Sequence, residues 1–210
     1  MRKYLIPFSE TSYRRKRSVG MSALSKVATK TPTPKLTAED WLAAAEIKLS
    51  SAGIDAVRVE PLAKQLKVTK GSFYWHFKSR QHLLDKLLVR WRTRATATII
   101  NRLTSAGMAP AERLYELAAL PHKSNQAVIG SKVEIAIRQW ASYDAAVLAT
   151  VTEMDNLRLS FISSIYQELG YSESQAMVKA KSFYCALQGM ALLKTENSDF
   201  DSKQICEQLL

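Results

Sequence analysis

The segment Thr69–Leu84, which reads TKGSFYWHFKSRQHLL, contains a helix start, a short amphipathic helix and the start of a second helix. Thr69 is a typical N-cap residue, and Phe73 and Phe77 share one helical face that can pack against a core. The opposite face carries basic and aromatic side chains, namely Lys70, Tyr74, Trp75 and His76. We interpret a helix with these two faces as one that docks on its own domain and presents a binding surface outward.

Two further helices are predicted directly before this segment. The first begins at Thr37, where Asp40 three residues later completes a near capping box, and it ends at Gly53. The second covers about residues 60–66, and a short turn through Lys67 joins it to the next helix. Three short helices, with a tight turn between the second and the third, are typical of a helix-turn-helix module.

This module offers candidate contacts to DNA. Lys70 and Trp75 are predicted to contact base edges, the lysine through guanine acceptors and the tryptophan through a thymine methyl group. Gly71 allows the backbone to approach a phosphate or a base edge closely, and Thr69 can offer its hydroxyl and backbone N–H groups to a phosphate. The candidates for the phosphate backbone are Tyr74, His76 and Lys78, and Ser72 and Arg58 complete the predicted DNA-binding set.

Thr69–Leu84 and the preceding stretch Ser50–Val68, SSAGIDAVRVEPLAKQLKV, resemble the TetR family of bacterial transcription regulators, over about residues 37–92. The resemblance implies a homodimer whose recognition helices enter successive major grooves of a palindromic operator. It also implies that a long fourth helix joins the DNA-binding domain to a helical ligand-binding and dimerisation domain. The family's DNA-contacting positions fall on Thr69, Lys70, Gly71, Tyr74, His76 and Lys78, and its docking aromatics fall on Phe73 and Phe77.

Two positions depart from the family's pattern. Lys67 stands at a turn position that glycine commonly fills, so we expect strain if its backbone adopts a positive φ. Arg58 stands where a small hydroxyl residue often caps the second helix. A capping contact is therefore lost there, and a cation that can bind a phosphate is gained.

Helical periodicity continues to the end of the chain, with few glycines or prolines inside segments, and predicts an all-α fold. The predicted domains are a flexible basic arm over residues 1–36, a helix-turn-helix domain over 37–83, and a helical effector-binding and dimerisation domain over 84–210. Later helices are predicted to begin at Ser79 (running to about Ser105), Pro110, Ser131, Asp144, Ser172 and shortly after Asp199. A loop is predicted between Pro121 and Gly130, because both residue types commonly interrupt helices.

The second domain is predicted to serve dimerisation and ligand binding. The helices over about 144–169 and 172–193 carry small residues that allow close approach, which favours a four-helix bundle between subunits. The candidate pocket liners are Trp91, Trp140, Tyr143, Met154, Phe161 and Phe183. The competing interpretation is that these side chains fill the core. The stretch EIAIRQWASYD, Glu134–Asp144, resembles an effector-domain segment of such regulators, and its Glu134 and Arg138 can pair on one helix face.

The positive charge of the chain is unevenly distributed. The chain has 210 residues, 47% of them apolar, and a formal net charge of +11. Residues 1–36 hold nine basic residues and one acidic residue, residues 37–92 hold ten and six, and residues 93–210 hold eleven and twelve. The excess around the helix-turn-helix favours a nucleic-acid partner. The arm either adds phosphate contacts or is a solvated tail, or an upstream extension if translation starts at Met21.

Other classes of function find little support. Cys185 and Cys206 form no Cys/His cluster, so neither a zinc site nor a disulfide framework is expected, and both are predicted to be buried. No stretch approaches the roughly 18 consecutive apolar residues of a membrane helix, so we expect a soluble, cytoplasmic protein with no membrane partner. No nucleophile elbow, phosphate loop or metal-binding pair is present, so we expect no enzyme, metal or cofactor.

These observations predict a sequence-specific DNA-binding transcriptional regulator. In our first interpretation it is a repressor that leaves its palindromic operator when an unidentified small-molecule effector binds the C-terminal domain and shifts the conformational population. The alternative is an architectural or nucleoid-associated DNA-binding protein that has the same fold and no effector. An enzyme ranks third.

Overall fold

The computed structural model describes residues 36–120, 125–193 and 202–209, and every regular element in these ranges is helical. The α-helices are α1 (Ala38–Ala52), α2 (Val59–Gln65), α3 (Lys70–Tyr74), α4 (Arg80–Arg92), α5 (Thr98–Ser105), α6 (Pro110–Ala119), α7 (Asn125–Ala141), α8 (Ala145–Glu168), α9 (Glu173–Leu192) and α10 (Ser202–Leu209). A 3₁₀ turn over Ile54–Ala56 follows α1, and a π-helical turn over Thr93–Ala97 joins α4 to α5. The predicted all-α fold is confirmed, whereas the predicted arm lies outside the described residues apart from Leu36.

Polar residues cap several helices at the positions that the sequence predicts. Thr37 Oγ1 accepts a hydrogen bond from the Asp40 backbone N–H at 3.3 Å, and Asp40 Oδ2 accepts one from the Thr37 backbone N–H at 2.7 Å. Ser79, Asp144 and Ser172 likewise accept backbone N–H groups in the first turns of α4, α8 and α9. These bonds satisfy amides that lack a partner inside the helix, so the capping residues determine where each helix begins.

The start of α7 differs from the prediction. The helix begins at Asn125, so the predicted loop is wrong over residues 125–130, and the predicted capping box at Ser131 is also wrong. The first part of the predicted loop, residues 121–124, lies outside the described residues. A glycine inside a helix costs only about 1 kcal/mol relative to alanine, and packing of the apolar face that follows offsets this cost. That face includes Val133 and Ile137, which are buried in the core.

Two other helix boundaries depart from the expected pattern. α3 ends at Tyr74, so Phe77, which was expected on the same helical face as Phe73, lies beyond the helix. The chain is fully extended at Ser79, where it caps α4. Phe77 nevertheless remains buried. The long helix predicted over residues 79–105 is present, but the π-helical turn interrupts it.

Two groups of buried side chains hold the helices together. The first joins α1–α4 to α7 and the beginning of α8, and it includes Trp41, Phe73, Leu87, Ile137 and Trp140. The second joins α5, α6, α8, α9 and α10, and it includes Leu103, Leu114, Tyr166 and Phe183. The first group contains residues from both sides of position 84, so the helix-turn-helix helices share a core with the body. The division into domains at residues 83 and 84 stays a prediction.

The exposure of single side chains bears on two smaller expectations. Cys206 is buried as predicted, but Cys185 is exposed, because its position on α9 turns away from the second core. Within the described ranges, no helix combines the length and the apolar character needed to cross a bilayer.

Candidate nucleic-acid interface

Aromatic side chains on the inner face of α3 hold this helix against α1. Phe73 is fully buried, and its ring centroid lies 5.3 Å from that of Trp41 and 5.4 Å from that of Phe77. The first pair is edge-to-face and the second is stacked, and both geometries add to the stabilisation from area burial. The prediction that Phe73 and Phe77 are core residues is confirmed.

The turn between α2 and α3 places Lys67 in the left-handed region, at a φ of 58°. The Val68 backbone N–H donates a hydrogen bond to the Ala63 carbonyl at 3.0 Å across this turn. A left-handed conformation costs a residue with a side chain roughly 1–2 kcal/mol. The strain predicted for a lysine at this position is therefore present in the structure.

The outer side of the α3 segment exposes large side chains to solvent. Trp75, which directly follows the helix, is 86% exposed, and Tyr74 is 63% exposed. Lys70 is also exposed, and its Nζ lies 2.7 Å from Glu60 Oε1 in the first turn of α2. Aromatic side chains of this size are rarely so exposed in a protein surface that has no partner.

The first turn of α3 offers both backbone and side-chain groups. Thr69 stands at the N-cap with an extended backbone, and among the described contacts its hydroxyl makes no capping bond to α3. A Cβ atom placed on Gly71 would meet Thr69 Oγ1 at 3.6 Å, which is an ordinary contact. Packing within the chain therefore does not require glycine at this position.

The other predicted DNA-binding residues lie at different depths. Arg58 is the N-cap residue of α2, and its Nε donates a hydrogen bond to the Asp55 carbonyl at 2.7 Å. Ser72 and His76 are half-buried, whereas Lys78 is exposed. The structure thus groups Thr69, Lys70, Gly71, Tyr74 and Trp75 on one exposed segment and places Arg58 at the neighbouring helix start.

Arg80 also positions the module, and the sequence analysis missed it. Its Nε donates a hydrogen bond to the Val57 carbonyl at 2.6 Å, and its Nη2 donates one to the Ile54 carbonyl at 2.8 Å. These bonds join the first turn of α4 to the connection between α1 and α2. No sequence pattern signals them, because both acceptors are backbone carbonyls distant in the chain.

The Glu60 carboxyl of the Lys70–Glu60 ion pair is ionised at neutral pH. The hydrogen bond from Lys70 holds the pKa of the Glu60 carboxyl below its ordinary value. Both side chains are more than half exposed, so the pair contributes little to stability. Its consequence is for binding, because any acceptor on a partner competes with Glu60 for the Lys70 ammonium group.

The body contains a buried ion cluster, formed by Glu134 and Arg138 of α7, Asp155 and Arg158 of α8, Tyr184 of α9 and Trp91 of α4. Glu134 lies at its centre and is only 8% exposed. Arg158 donates two hydrogen bonds to the Glu134 carboxylate, at 2.9 and 3.1 Å, and Trp91 Nε1 donates a third at 2.8 Å. Arg138 Nε donates a fourth at 2.9 Å, so the predicted pairing of Glu134 with Arg138 is confirmed.

The second acid of the buried ion cluster is Asp155. Arg138 donates two hydrogen bonds to its carboxylate, at 2.6 and 3.0 Å, and the Tyr184 hydroxyl donates one at 2.6 Å. The Tyr184 hydroxyl in turn accepts a hydrogen bond from Arg158 Nη1 at 2.9 Å. Each acid is thus matched by an arginine and by a neutral donor, as burial of charge requires.

The protonation of the buried ion cluster follows from these contacts. Burial raises the pKa of the Glu134 carboxyl, but the hydrogen bonds and the charge of Arg158 outweigh this effect. The pKa therefore lies below its ordinary value. Burial also raises the pKa of the Asp155 carboxyl, and the hydrogen bonds from Arg138 and Tyr184 outweigh this effect, so that this pKa is lowered as well. Burial, together with the hydrogen bond to Asp155, raises the pKa of Tyr184 to about 12, against the charge of Arg158. At neutral pH both acids are ionised and the tyrosine is neutral.

The predicted pocket liners are dispersed in the structure. Trp91, Trp140 and Met154 lie in the first core, Phe183 lies in the second, Phe161 is half-buried beside the second, and Tyr143 is 64% exposed at the surface. The structure therefore does not gather all of them around one cavity. Tyr143 in particular sits beyond the end of α7, in the connection to α8, where it points to solvent.

In the described part of the chain, two open grooves lie alongside α4. The larger, of about 420 Å³, lies between the α4–α5 segment and α8 and is lined by Val89, Arg92, Thr96, Ile100, Met154 and Leu157 among others. The smaller, of about 250 Å³, shares Val89 and Arg92 and reaches Trp140 and Asp144. Among the described residues, no group of three or more histidine, cysteine or acidic side chains could hold a metal ion.

Comparison with known proteins gives a family and a fold. Residues 42–87 match the family model described as bacterial regulatory proteins, tetR family. No curated protein matches the sequence. A TetR-family transcriptional regulator from Rhodococcus sp. has the same fold, with a TM-score of 0.66, 20% identity, and coverage of 82% of this chain and 95% of that one.

Two further solved structures share the fold and contain ligands. One is a transcriptional regulator from Saccharomonospora viridis in complex with choline, with a TM-score of 0.68, 16% identity, and coverage of 82% of this chain and 92% of that one. The other is the regulator FadR from Bacillus subtilis in complex with stearoyl-CoA, with a TM-score of 0.62, 15% identity, and coverage of 82% and 97%. Residues 42–87 are thus similar to the bacterial regulatory proteins of the tetR family, and the described part of the chain shares the fold of these solved regulators.

Proposed function

We propose that this chain is a sequence-specific DNA-binding transcriptional regulator that acts as a homodimer on a palindromic operator. The contrast between the two faces of the α3 segment carries the proposal. Phe73 is fully buried against α1, whereas Trp75, two residues later, is 86% exposed. A surface of this kind is typical of a site that a partner covers, and the helix-turn-helix of this family makes DNA that partner.

The residues of the interface divide into base-reading and phosphate-binding groups. Lys70 and Trp75 contact base edges, while Thr69 and Gly71 let the first turn of α3 approach a phosphate. The phosphate contacts are completed by Arg58, Ser72, Tyr74, His76 and Lys78. Because Lys70 must leave Glu60 to reach DNA, a base that offers it no acceptor is penalised, which supports sequence preference.

The homodimer is proposed to form through α8 and α9. These helices pack against each other and also carry exposed apolar side chains, namely Leu148, Val178 and Leu192. Apolar side chains on the outer faces of two paired helices support a four-helix bundle with a second copy. Such a dimer would present two α3 helices to two half-sites.

The regulator is proposed to be a repressor that a small molecule releases from DNA. The choline and stearoyl-CoA complexes of proteins with this fold support an effector site in the body. Binding between α4 and α8, beside Met154, would act on the helix that carries the DNA-binding helices. A ligand that favours wrongly spaced recognition helices lowers operator occupancy by population shift.

The second candidate function is an architectural DNA-binding protein without an effector. It is favoured by the placement of Trp91, Trp140 and Phe183, which are packed in cores rather than arranged around a closed cavity. Both candidates require DNA binding through α3. They differ in sequence preference and in the response to small molecules.

Selection of bound duplexes from a random pool tests the proposed function. At an ionic strength of about 0.15 M, the full-length protein is expected to enrich one palindromic sequence. Equal retention of all sequences would refute the specific regulator and favour the architectural protein. Compounds from a small-molecule library, with choline and stearoyl-CoA as first probes, are then added to the complex with the selected duplex. An effector should weaken this complex by about tenfold or more.

A further inference from the structure

The π-helical turn between α4 and α5 is the feature from which we infer a further role. An α-helix bonds each N–H to the carbonyl four residues earlier, and a π turn bonds it to the carbonyl five residues earlier. The turn therefore accommodates an extra residue and changes which carbonyls find partners inside the helix. Such turns are rare in proteins, and many of those that occur lie at functional sites.

Arg158 of α8 binds the π-helical turn directly. Its Nε donates a hydrogen bond to Thr96 Oγ1 at 3.0 Å, and its Nη2 approaches the Ala95 carbonyl at 3.4 Å. Thr96 is 3% exposed, so these contacts are shielded from water and have no competing solvent partner. One guanidinium group of the body thus satisfies both a side chain and a carbonyl of the turn.

The same guanidinium group also fixes the helical turn before Thr93. Arg158 binds Glu134 at 2.9 and 3.1 Å, and Trp91 Nε1 donates to the same carboxylate at 2.8 Å. The Arg158 guanidinium carbon lies 5.4 Å from the centroid of the Trp91 ring, within the range of a cation–π contact. Arg158 and Glu134 therefore hold α4 immediately before the π-helical turn and within it.

We propose that Arg158 and Glu134 are positioning residues for operator binding. They hold the π-helical turn and Trp91, and so determine the direction in which α4 carries the DNA-binding helices away from the body. α4 packs with those helices through Leu83, Leu84 and Leu87, which are buried. Loss of the extra residue from the π-helical turn would change the direction of α4 strongly, because one residue of an α-helix corresponds to a rotation of about 100° and a rise of about 1.5 Å.

A second ion pair of the body, outside the buried ion cluster, provides a control. Arg113 of α6 and Glu168 of α8 form this pair, and Arg113 is buried. Their described contacts include none with α4, the π-helical turn, Glu134 or Arg158. A change confined to this pair should therefore alter the stability of the body but leave the direction of α4 unchanged.

The inference rests on the proposed function, and two DNA probes test it. The first is the palindromic duplex selected by the wild-type protein, and the second is a duplex that carries one half of it. Correct placement of two recognition helices is needed for the first probe but not for the second. A positioning role therefore affects the two probes differently, whereas loss of folded protein lowers binding to both.

The test variant is the full-length double substitution Glu134→Gln with Arg158→Met, which leaves no unpaired charge in place of this pair. The control is Arg113→Met with Glu168→Gln, which removes the separate ion pair between α6 and α8. We expect the test variant to lose about tenfold or more in affinity for the palindrome and to change by less than about twofold on the half duplex. The control should bind both probes like the wild type. Equal losses by both variants, or a parallel loss on both probes, would overturn the positioning role.

Milder variants and hydrogen exchange keep the test independent of folding and of DNA. Thr96→Val removes the hydroxyl that accepts from Arg158, and Trp91→Phe removes the indole donor to Glu134. Each is expected to lose less palindrome affinity than the double variant, with the half duplex unchanged. In protein without DNA, amide exchange across Thr93–Asn101 should be faster in the test variant than in the control. Equal exchange rates in the two variants would refute the positioning role, whatever the DNA-binding result. The absence of sequence preference in the wild type would by itself refute only the proposed function.

Discussion

The α3 segment and the buried ion cluster use the same kinds of side chain in opposite surroundings. On the α3 segment the Lys70–Glu60 pair has side chains that are 61% and 58% exposed, next to an exposed tryptophan. In the cluster the Arg158–Glu134 pair has side chains that are each 11% exposed, and its tryptophan is buried. Burial therefore decides the role of such a group. The exposed pair can be exchanged for a partner, whereas the buried pair determines internal geometry.

The largest expected effect is on the free energy of unfolding, from a change in the buried Arg158–Glu134 pair. Arg158→Met should lower the free energy of unfolding by about 3–5 kcal/mol, because Glu134 is left charged and buried without its main partner. Urea denaturation monitored by circular dichroism measures the loss.

The matched control is Arg92→Met, which removes an exposed arginine that lies 2.6 Å from Glu153. That variant should lose no more than about 1 kcal/mol. Equal losses in the two variants would mean that burial does not distinguish the two kinds of ion pair in this protein.

The next effect concerns the exposed side. Lys70→Ala should weaken binding to the selected palindrome by about 1–3 kcal/mol, with relaxed preference at one base pair, because a base-edge contact is lost. Its unfolding free energy should stay within about 0.5 kcal/mol of the wild-type value. Fluorescence anisotropy with the palindrome and with single-base variants measures the effect.

Lys132→Ala in α7 is the control for the loss of one exposed positive charge. It should bind the palindrome like the wild type. A uniform loss across all sequences in the Lys70→Ala variant would assign Lys70 to the phosphate contacts instead.

A decrease in pH is expected to have an intermediate effect on the free energy of unfolding. The pKa of Glu134 is lower in the folded protein than its ordinary value of 4.5, so the carboxylate stabilises the fold above that value. This stabilisation is lost as the pH falls through the lowered, folded-state pKa. Urea unfolding between neutral pH and acid should therefore show a steeper loss for the wild type than for Glu134→Gln with Arg158→Met. Parallel pH curves would contradict a charged Glu134 in the buried ion cluster.

The smallest effect tests the strain in the helix-turn-helix. Lys67→Gly should raise the unfolding free energy by up to about 1 kcal/mol, because relief of the left-handed strain exceeds the added freedom of the unfolded chain. Lys64→Gly, in the last turn of α2, should instead lower it by about 1 kcal/mol. The same urea assay compares the two, and a loss in both variants would mean that the Lys67 turn is not strained.

The sequence predicts the exposed region well for a physical reason. Capping at Thr37 and Ser79, the docking face of α3 and the strained turn at Lys67 each depend on residues within about one helical turn of each other. The roles of the α3 side chains toward DNA stay predictions, because exposure alone does not say what they contact.

The misses share the opposite cause. Gly130 was expected to end a loop, but packing of the face that follows it extends α7 upstream to Asn125. Cys185 was expected in the core and faces solvent, because a helical residue is buried only where another helix covers it. The candidate pocket liners are dispersed over both cores and the surface, and their role toward a ligand stays a prediction.

The amino-acid sequence by itself determined the all-α class, most helix starts and the helix-turn-helix with its outward aromatic and basic face. These features follow from contacts between residues close in the chain and from the pattern of apolar side chains. The tertiary structure alone decided the buried ion cluster beyond the Glu134–Arg138 pair, the contacts of Arg80 and the π-helical turn held by Arg158. Their partners are far apart in sequence, and a buried charge is tolerated only where the packed helices bring a matching group to it.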